Sequence, residues 1–187
     1  MAVQDRLYTA HDLAAMPEDG KVYELHNGVL IEVAGSKYRQ TRLAIWIAYL
    51  LMTFIEQHKL GGAVTGADGA VELNQYNTRI PDVAYITAER AQAQSDDSYI
   101  QGAPDLAVEV VSVSNSDVEM QQRAGEYLSA GARLVWIVNP AQRTVDIYRP
   151  GGARQVLEND GILDGGDVLP SLVLPVQRVF EQLKTNP

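Results

Sequence analysis

Cysteine is absent from this chain, which removes disulfides, zinc–thiolate sites and cysteine nucleophiles from consideration. Histidine is scarce. His11, His26 and His58 stand apart without metal-ligand spacing, so a zinc-hydrolase reading has little to rest on. Long hydrophobic runs are missing too: the most apolar window, Leu43 to Ile55, is too short to cross a bilayer and suits a buried helix. The N-terminus has no basic segment followed by an apolar one, so no signal peptide is expected, and a cytoplasmic protein with no membrane partner is. Positive charge is in deficit, with 15 Lys and Arg against 24 Asp and Glu and a net charge of −9. That argues against a dedicated nucleic-acid binder with a basic face, but not against a nuclease whose metal ions neutralise phosphate locally. There is no Gly-rich phosphate loop. Ser112, Ser114 and Ser116 have neither a Gly-x-Ser-x-Gly elbow nor a downstream histidine, which excludes an α/β-hydrolase.

What is present is ordinary globular composition, 46% hydrophobic and 21% charged over 187 residues, enough for a substantial core in a single domain spanning 1–187. Thr9 with Asp12 marks a short first helix. Asn27-Gly28 between Val22–His26 and Val29–Val33 is a hairpin signal. Ser36 opens a long helix to about His58, its apolar residues at helical spacing and its end at Gly61-Gly62. Ala63 to Leu73, broken at Asp68-Gly69, reads as a strand pair, and Arg79 to Ile86 as one strand, with Thr87 capping a short helix. A strand at Asp105–Val113, a helix at Ser116–Ala130 and a strand at Leu134–Val138 suggest a crossover unit. Another strand, Thr144–Arg149, follows. The tail holds a Gly/Asp-rich turn at Asp160–Asp167 and a closing helix from about Val176. The fold class is therefore mixed α/β, a central mixed sheet flanked by helices with an N-terminal hairpin.

Three acids stand out inside apolar strands. Glu109 lies in Leu106-Ala-Val-Glu-Val-Val-Ser-Val113, where a carboxylate is costly unless a metal, a cation or hydrogen bonds accompany it. Asp82 lies in Ile80-Pro-Asp-Val-Ala-Tyr-Ile86, and Glu24 in Val22-Tyr-Glu-Leu-His26. If the strands are adjacent, Asp82 and Glu109 meet at one end of the sheet and form a site for a hard divalent cation, which binds through oxygen. Blander readings stand beside these. Glu109 would also suit a solvent-facing edge strand, Asp82 a strand start after proline, and Glu24 an ion pair with Lys21 or Lys37. Asp105, on the face of Glu109, reads as a turn residue or a further ligand. Arg123, four residues after Glu119, suits a surface helix pair. Trp46 and Trp136 read as core, and Asp164 to Asp167 as a plain turn without calcium-loop spacing.

Four segments in a fixed order carry a resemblance: Tyr23-Glu-Leu-His-Asn-Gly28, Arg79-Ile-Pro-Asp-Val-Ala-Tyr85, Pro104-Asp-Leu-Ala-Val-Glu-Val-Val-Ser-Val-Ser114, and Tyr127-Leu-Ser-Ala-Gly-Ala-Arg-Leu-Val-Trp-Ile-Val-Asn-Pro140. The chain resembles the Uma-two family of endonuclease-like proteins, long classed as a domain of unknown function, within the PD-(D/E)XK restriction-endonuclease-like superfamily. The resemblance implies a restriction-endonuclease-like fold and a Mg²⁺- or Mn²⁺-dependent endonuclease acting on nucleic acid, with DNA the expected partner and a homodimer the expected assembly. It implies that Asp82 and Glu109 bind the metal with the Val110 carbonyl as an additional ligand, and that Glu24 is the acid of the early segment. The lysine of the motif would fall two residues after Glu109, where this chain has Val111. In relatives a lysine stands instead on the following helix, four residues before the tyrosine, and that position is Arg123. Arginine stabilises charge but does not readily give up a proton. The alternative is therefore a catalytically attenuated member of the same fold, serving as a binding or assembly module.

Overall fold

The computed structural model describes residues 6–183, so both ends of the expected 1–187 domain lie outside the described residues. Helix α1 (Ala10–Ala14) is closed by a reciprocal cap in which Thr9 and Asp12 each bind the other's main chain. Strands β1 (Tyr23–His26) and β2 (Val29–Glu32) form the hairpin about Asn27-Gly28, where both residues have positive φ, as a tight two-residue turn requires. Helix α2 (Tyr38–Gln57) follows, then β3 (Ala63–Gly66), β4 (Val71–Asn74), β5 (Asn77–Arg79) and β6 (Val83–Ile86). A short α3 (Ala88–Gln92) and β7 (Ile100–Gln101) lead into β8 (Leu106–Val110), α4 (Asp117–Ser129) and β9 (Leu134–Asn139). Strands β10 (Thr144–Tyr148), β11 (Gln155–Leu157), β12 (Ile162–Gly165) and β13 (Leu169–Pro175) and helix α5 (Val176–Val179) complete the order.

The larger sheet runs β11-β10-β9-β8-β6-β3, the smaller β2-β1-β5-β4-β7, and β12 pairs with β13 alone. Strands β8 and β9 are parallel neighbours joined through α4, the crossover unit expected from the apolar runs. Alternation in the central strands feeds two cores. Leu106, Val108, Val110, Leu134, Trp136 and Val138 pack toward α2 and the tail hairpin. Ala107, Val135 and Ile137 pack toward Met120, Ala124 and Tyr127 of α4. Glu109 has the parity of Ala107 and therefore points at α4.

Three expectations need correction. Arg79–Ile86 is not one strand. Arg79 ends β5 in the smaller sheet and Val83 begins β6 in the larger, so Ile80-Pro81-Asp82 is the joint between sheets. Pro81 has no N–H to give to a ladder, which is why pairing lapses there. Likewise Ala63–Leu73 holds two strands that do not pair with each other: β3 joins β6, and β4 joins β5 and β7. Finally, the Gly/Asp-rich stretch at Asp160–Asp167 contains strand β12. Gly165 is required there because a Cβ would come within 2.4 Å of Leu169.

Candidate functional site at the joint of two sheets

Strand β6 pairs antiparallel with β8 in the register Val83 to Val108, which sets Asp82 beside Glu109 just past the paired ends. Asp82 sits where the chain leaves one sheet for the other, half-buried, and its Oδ2 accepts the Val110 N–H at 2.7 Å. The backbone loosened by Pro81 is held on the other side by Glu24, whose Oε1 accepts the Ile80 N–H at 2.9 Å. The three acids thus come to one joint from β1, the β5–β6 link and β8. Glu24, Asp82, Glu109, Val110 and Arg123 all line a cavity of about 300 Å³.

Arg123 reaches this cavity from α4. Its guanidinium grips Glu24 with two bonds, Nη1 to Oε1 at 2.9 Å and Nη2 to Oε2 at 3.0 Å, and Nη1 also donates to Glu109 Oε1 at 3.2 Å. It does not pair with Glu119. That residue closes a capping box with Ser116 at the start of α4, its Oε2 accepting the Ser116 N–H at 2.7 Å. One turn after Arg123, the Tyr127 hydroxyl donates to Glu109 Oε1 at 2.7 Å. Glu109 is 6% exposed, and removal from water is the largest influence on it, pushing its carboxyl up to about 7. Arg123 and the Tyr127 hydrogen bond pull the other way, while the charges of Asp82 and Glu24 add to the rise. Burial likewise raises Asp82, opposed by the Val110 hydrogen bond. The Arg123 guanidinium is held still more firmly in its charged form by Glu109 and Glu24, which outweigh its own burial.

Two side chains that the sequence left without a role complete the arrangement. Arg79, 5% exposed, binds Glu24 Oε2 at 3.2 Å and Glu126 Oε2 at 2.7 Å, and its Nη2 lies 2.7 Å from His26 Nδ1. It stands immediately before Ile80-Pro-Asp, at the end of a strand where an isolated cation would be costly, and that was its available signal. Tyr127 lies four residues after Arg123, hence on the same helical face, and that spacing was legible as well. Asp105 plays no part in the cavity. Its oxygens accept Thr87 N–H at 2.9 Å and Arg133 Nε at 3.1 Å, with Arg90 at 3.2 Å, so it ties the turn before β8. Thr87, expected to cap α3, spends its hydroxyl on Asp105 instead.

The donor set can be weighed against a hard divalent cation. Both oxygens of Glu24 are consumed by Arg123, Arg79 and the Ile80 N–H, which leaves it an anchor for the guanidinium groups. Accordingly, no group of three or more His, Cys, Asp or Glu side chains among the described residues is placed to hold an ion. Asp82 Oδ1 and Glu109 Oε2 accept no protein hydrogen bond among the described residues. The charged side chains lining the cavity are three carboxylates, Glu24, Asp82 and Glu109, and two cations, Lys37 and Arg123, with Arg79 behind Glu24 and paired to it. Glu24 is neutralised by Arg79 and Arg123, so the groups left to answer a cation are the desolvated carboxyls of Asp82 and Glu109. Two carboxylates are the usual protein share of a Mg²⁺ site, the rest coming from water and substrate phosphate.

Comparison with known families matches residues 10–179 to the Uma2 family, described as putative restriction endonuclease. The chain belongs to the Uma2 family. Among solved structures, a putative nuclease belonging to DUF820 from Anabaena variabilis ATCC 29413 superposes with a TM-score of 0.79, covering 92% of this chain and 97% of that one at 17% identity. At that identity the likeness establishes the nuclease-like mixed fold of this Uma2 chain and no more. No curated protein matches it.

Proposed function

We propose that this Uma2 chain is a divalent-cation-dependent nuclease that hydrolyses phosphodiester bonds of nucleic acid, with DNA as substrate and Mg²⁺ or Mn²⁺ as cofactor. The observation that carries the reading is the convergence of Asp82 and Glu109 on one cavity, each with an oxygen left over after its protein hydrogen bonds. Asp82, Glu109 and the Val110 carbonyl would hold the ion. When bound, such an ion polarises a phosphoryl oxygen and lowers the pKa of a coordinated water. Arg123 offsets charge developing on the phosphate, and Glu24 with Arg79 behind it fixes the guanidinium in place. Arg123 stays protonated, so it would not serve as the base for that water. The family description and the two desolvated carboxyls, each with an oxygen free of protein hydrogen bonds among the described residues, support this reading over a metal-free one.

The rival reading, a binding or assembly module, has one observation in its favour. Arg123 bridges Glu24 and Glu109 directly and already answers part of the charge an ion would answer. A cytoplasmic setting and a homodimer, which would let two sites reach both strands of a duplex, belong to the nuclease proposal. Sedimentation at micromolar concentration tests the dimer. The deciding experiment is cleavage of supercoiled and single-stranded DNA with Mg²⁺ or Mn²⁺, comparing wild type with Asp82→Ala and Glu109→Ala. Cleavage and ion binding are expected in wild type and lost together in both variants. A wild type that neither cuts nor binds an ion leaves the module reading standing.

A further inference from the structure

We propose that Gln40 is an oxygen donor to the cation held by Asp82 and Glu109, an inference that rests on the nuclease reading. Gln40 occupies the core-facing stripe of α2, in line with Leu43, Ala44, Ile47 and Leu51, and is the polar member of that stripe. It is 6% exposed. Its Nε2 donates a long hydrogen bond of 3.5 Å to the Val111 carbonyl, just beyond the end of β8. That carbonyl demands the donor end of the carboxamide, so the oxygen is the end left over. Oε1 is buried and has no hydrogen-bond partner. Three other buried side-chain atoms among the described residues share this condition, in Thr65, Trp136 and Tyr148, and none of those residues lines the cavity of the acids. Gln40 does, together with Asp82, Glu109, Val110 and Arg123.

A buried carboxamide oxygen without a partner is uncommon and calls for a cause. Packing does not supply one, because methionine or leucine would fill the same stripe with no polar atom to satisfy. An ion does. Hard cations accept amide oxygens beside carboxylates, and a neutral donor adds to the shell without adding charge to acids already desolvated. With Asp82, Glu109 and the Val110 carbonyl, Gln40 would give an all-oxygen protein set that favours Mg²⁺ and Mn²⁺ over softer metals.

Calorimetric titration of Mn²⁺ and Mg²⁺ into the full chain tests this with wild type, Asp82→Ala, Gln40→Met and Gln40→His. Gln40→Met keeps the shape and removes the oxygen. It is expected to bind both ions roughly tenfold or more weakly, while its Tm without ions is no lower than wild type. Gln40→His replaces oxygen by an imidazole nitrogen and is expected to retain Mn²⁺ while losing Mg²⁺, a change in preference that a purely structural role would not produce. If Gln40→Met does not fold, the Mn²⁺-to-Mg²⁺ preference of Gln40→His decides alone. Wild-type binding that Asp82→Ala abolishes but the Gln40 variants leave unchanged overturns this inference and spares the nuclease reading. A wild type that binds neither ion overturns both.

Discussion

Replacing Glu109 with glutamine isolates the cost of a buried charge at the joint between the sheets. The substitution keeps the shape and retains an oxygen to accept the hydrogen bonds of Tyr127 and Arg123, now made at 2.7 and 3.2 Å. What it removes is the ionisation. Burial carries the carboxyl of Glu109 from 4.5 to about 7 in the folded protein. A folded-state pKa above the unfolded one contributes stability that is whole below the unfolded value and is lost as pH rises through the folded one. The window is therefore roughly pH 4.5 to 7, and at about 1.4 kcal/mol per tenfold change in ionisation the loss amounts to roughly 3 kcal/mol. Without divalent ions, Glu109→Gln should match wild type near pH 4.5 and exceed it by up to roughly 3 kcal/mol at pH 8, on the order of 6–12 °C in Tm for a chain of this size. Thermal melts followed by circular dichroism across pH 4.5–8 in a chelator check this. Excess Mn²⁺ should narrow the difference at pH 8, since a carboxylate at position 109 gains more from the ion than a carboxamide does. Parallel pH dependences for the two proteins in the chelator would refute the claim that Glu109 is held at a cost.

Tyr127→Phe removes a donor to the same carboxylate. It should cost about 1–3 kcal/mol at pH 8 and much less near pH 4.5, read by the same melts. Arg123→Ala leaves Glu24 and Glu109 facing each other without their shared cation, and chemical denaturation should register a loss of about 3–5 kcal/mol near neutral pH. Arg123→Lys keeps the charge and gives up the two-point grip on Glu24; it should lose stability, yet raise metal-dependent cleavage relative to wild type if a group able to release a proton is what the site lacks. Ser116→Ala opens the capping box of α4 and should cost about 1 kcal/mol in denaturant titrations, with ion binding unchanged because Ser116 lies outside the carboxylate network.

Element identity in this protein was set locally. The spacing of Leu43, Ile47 and Leu51, the reciprocal caps of Thr9 with Asp12 and Ser116 with Glu119, and the Asn27-Gly28 turn each act within a few residues, so the sequence alone fixed those helices and that hairpin. The anomaly of a carboxylate in the Leu106–Val110 run was equally legible, because burying a charge is costly whatever surrounds it. Sheet membership was not legible. Arg79–Ile86 has the apolar content of one strand; Pro81 weakens its pairing locally, but that its two ends go to different sheets is decided by the tertiary structure. The division of labour among the acids was also a tertiary decision. Glu24, Asp82 and Glu109 look alike along the chain. Glu24 becomes an anchor because Arg79 and Arg123 arrive from β5 and α4 on both its oxygens, while Arg123 and Tyr127 reach only one oxygen of Glu109 and the Val110 N–H only one of Asp82. Gln40 shows the same limit: a polar residue in an apolar stripe is visible in sequence, but what its oxygen faces depends on the end of a strand about seventy residues away.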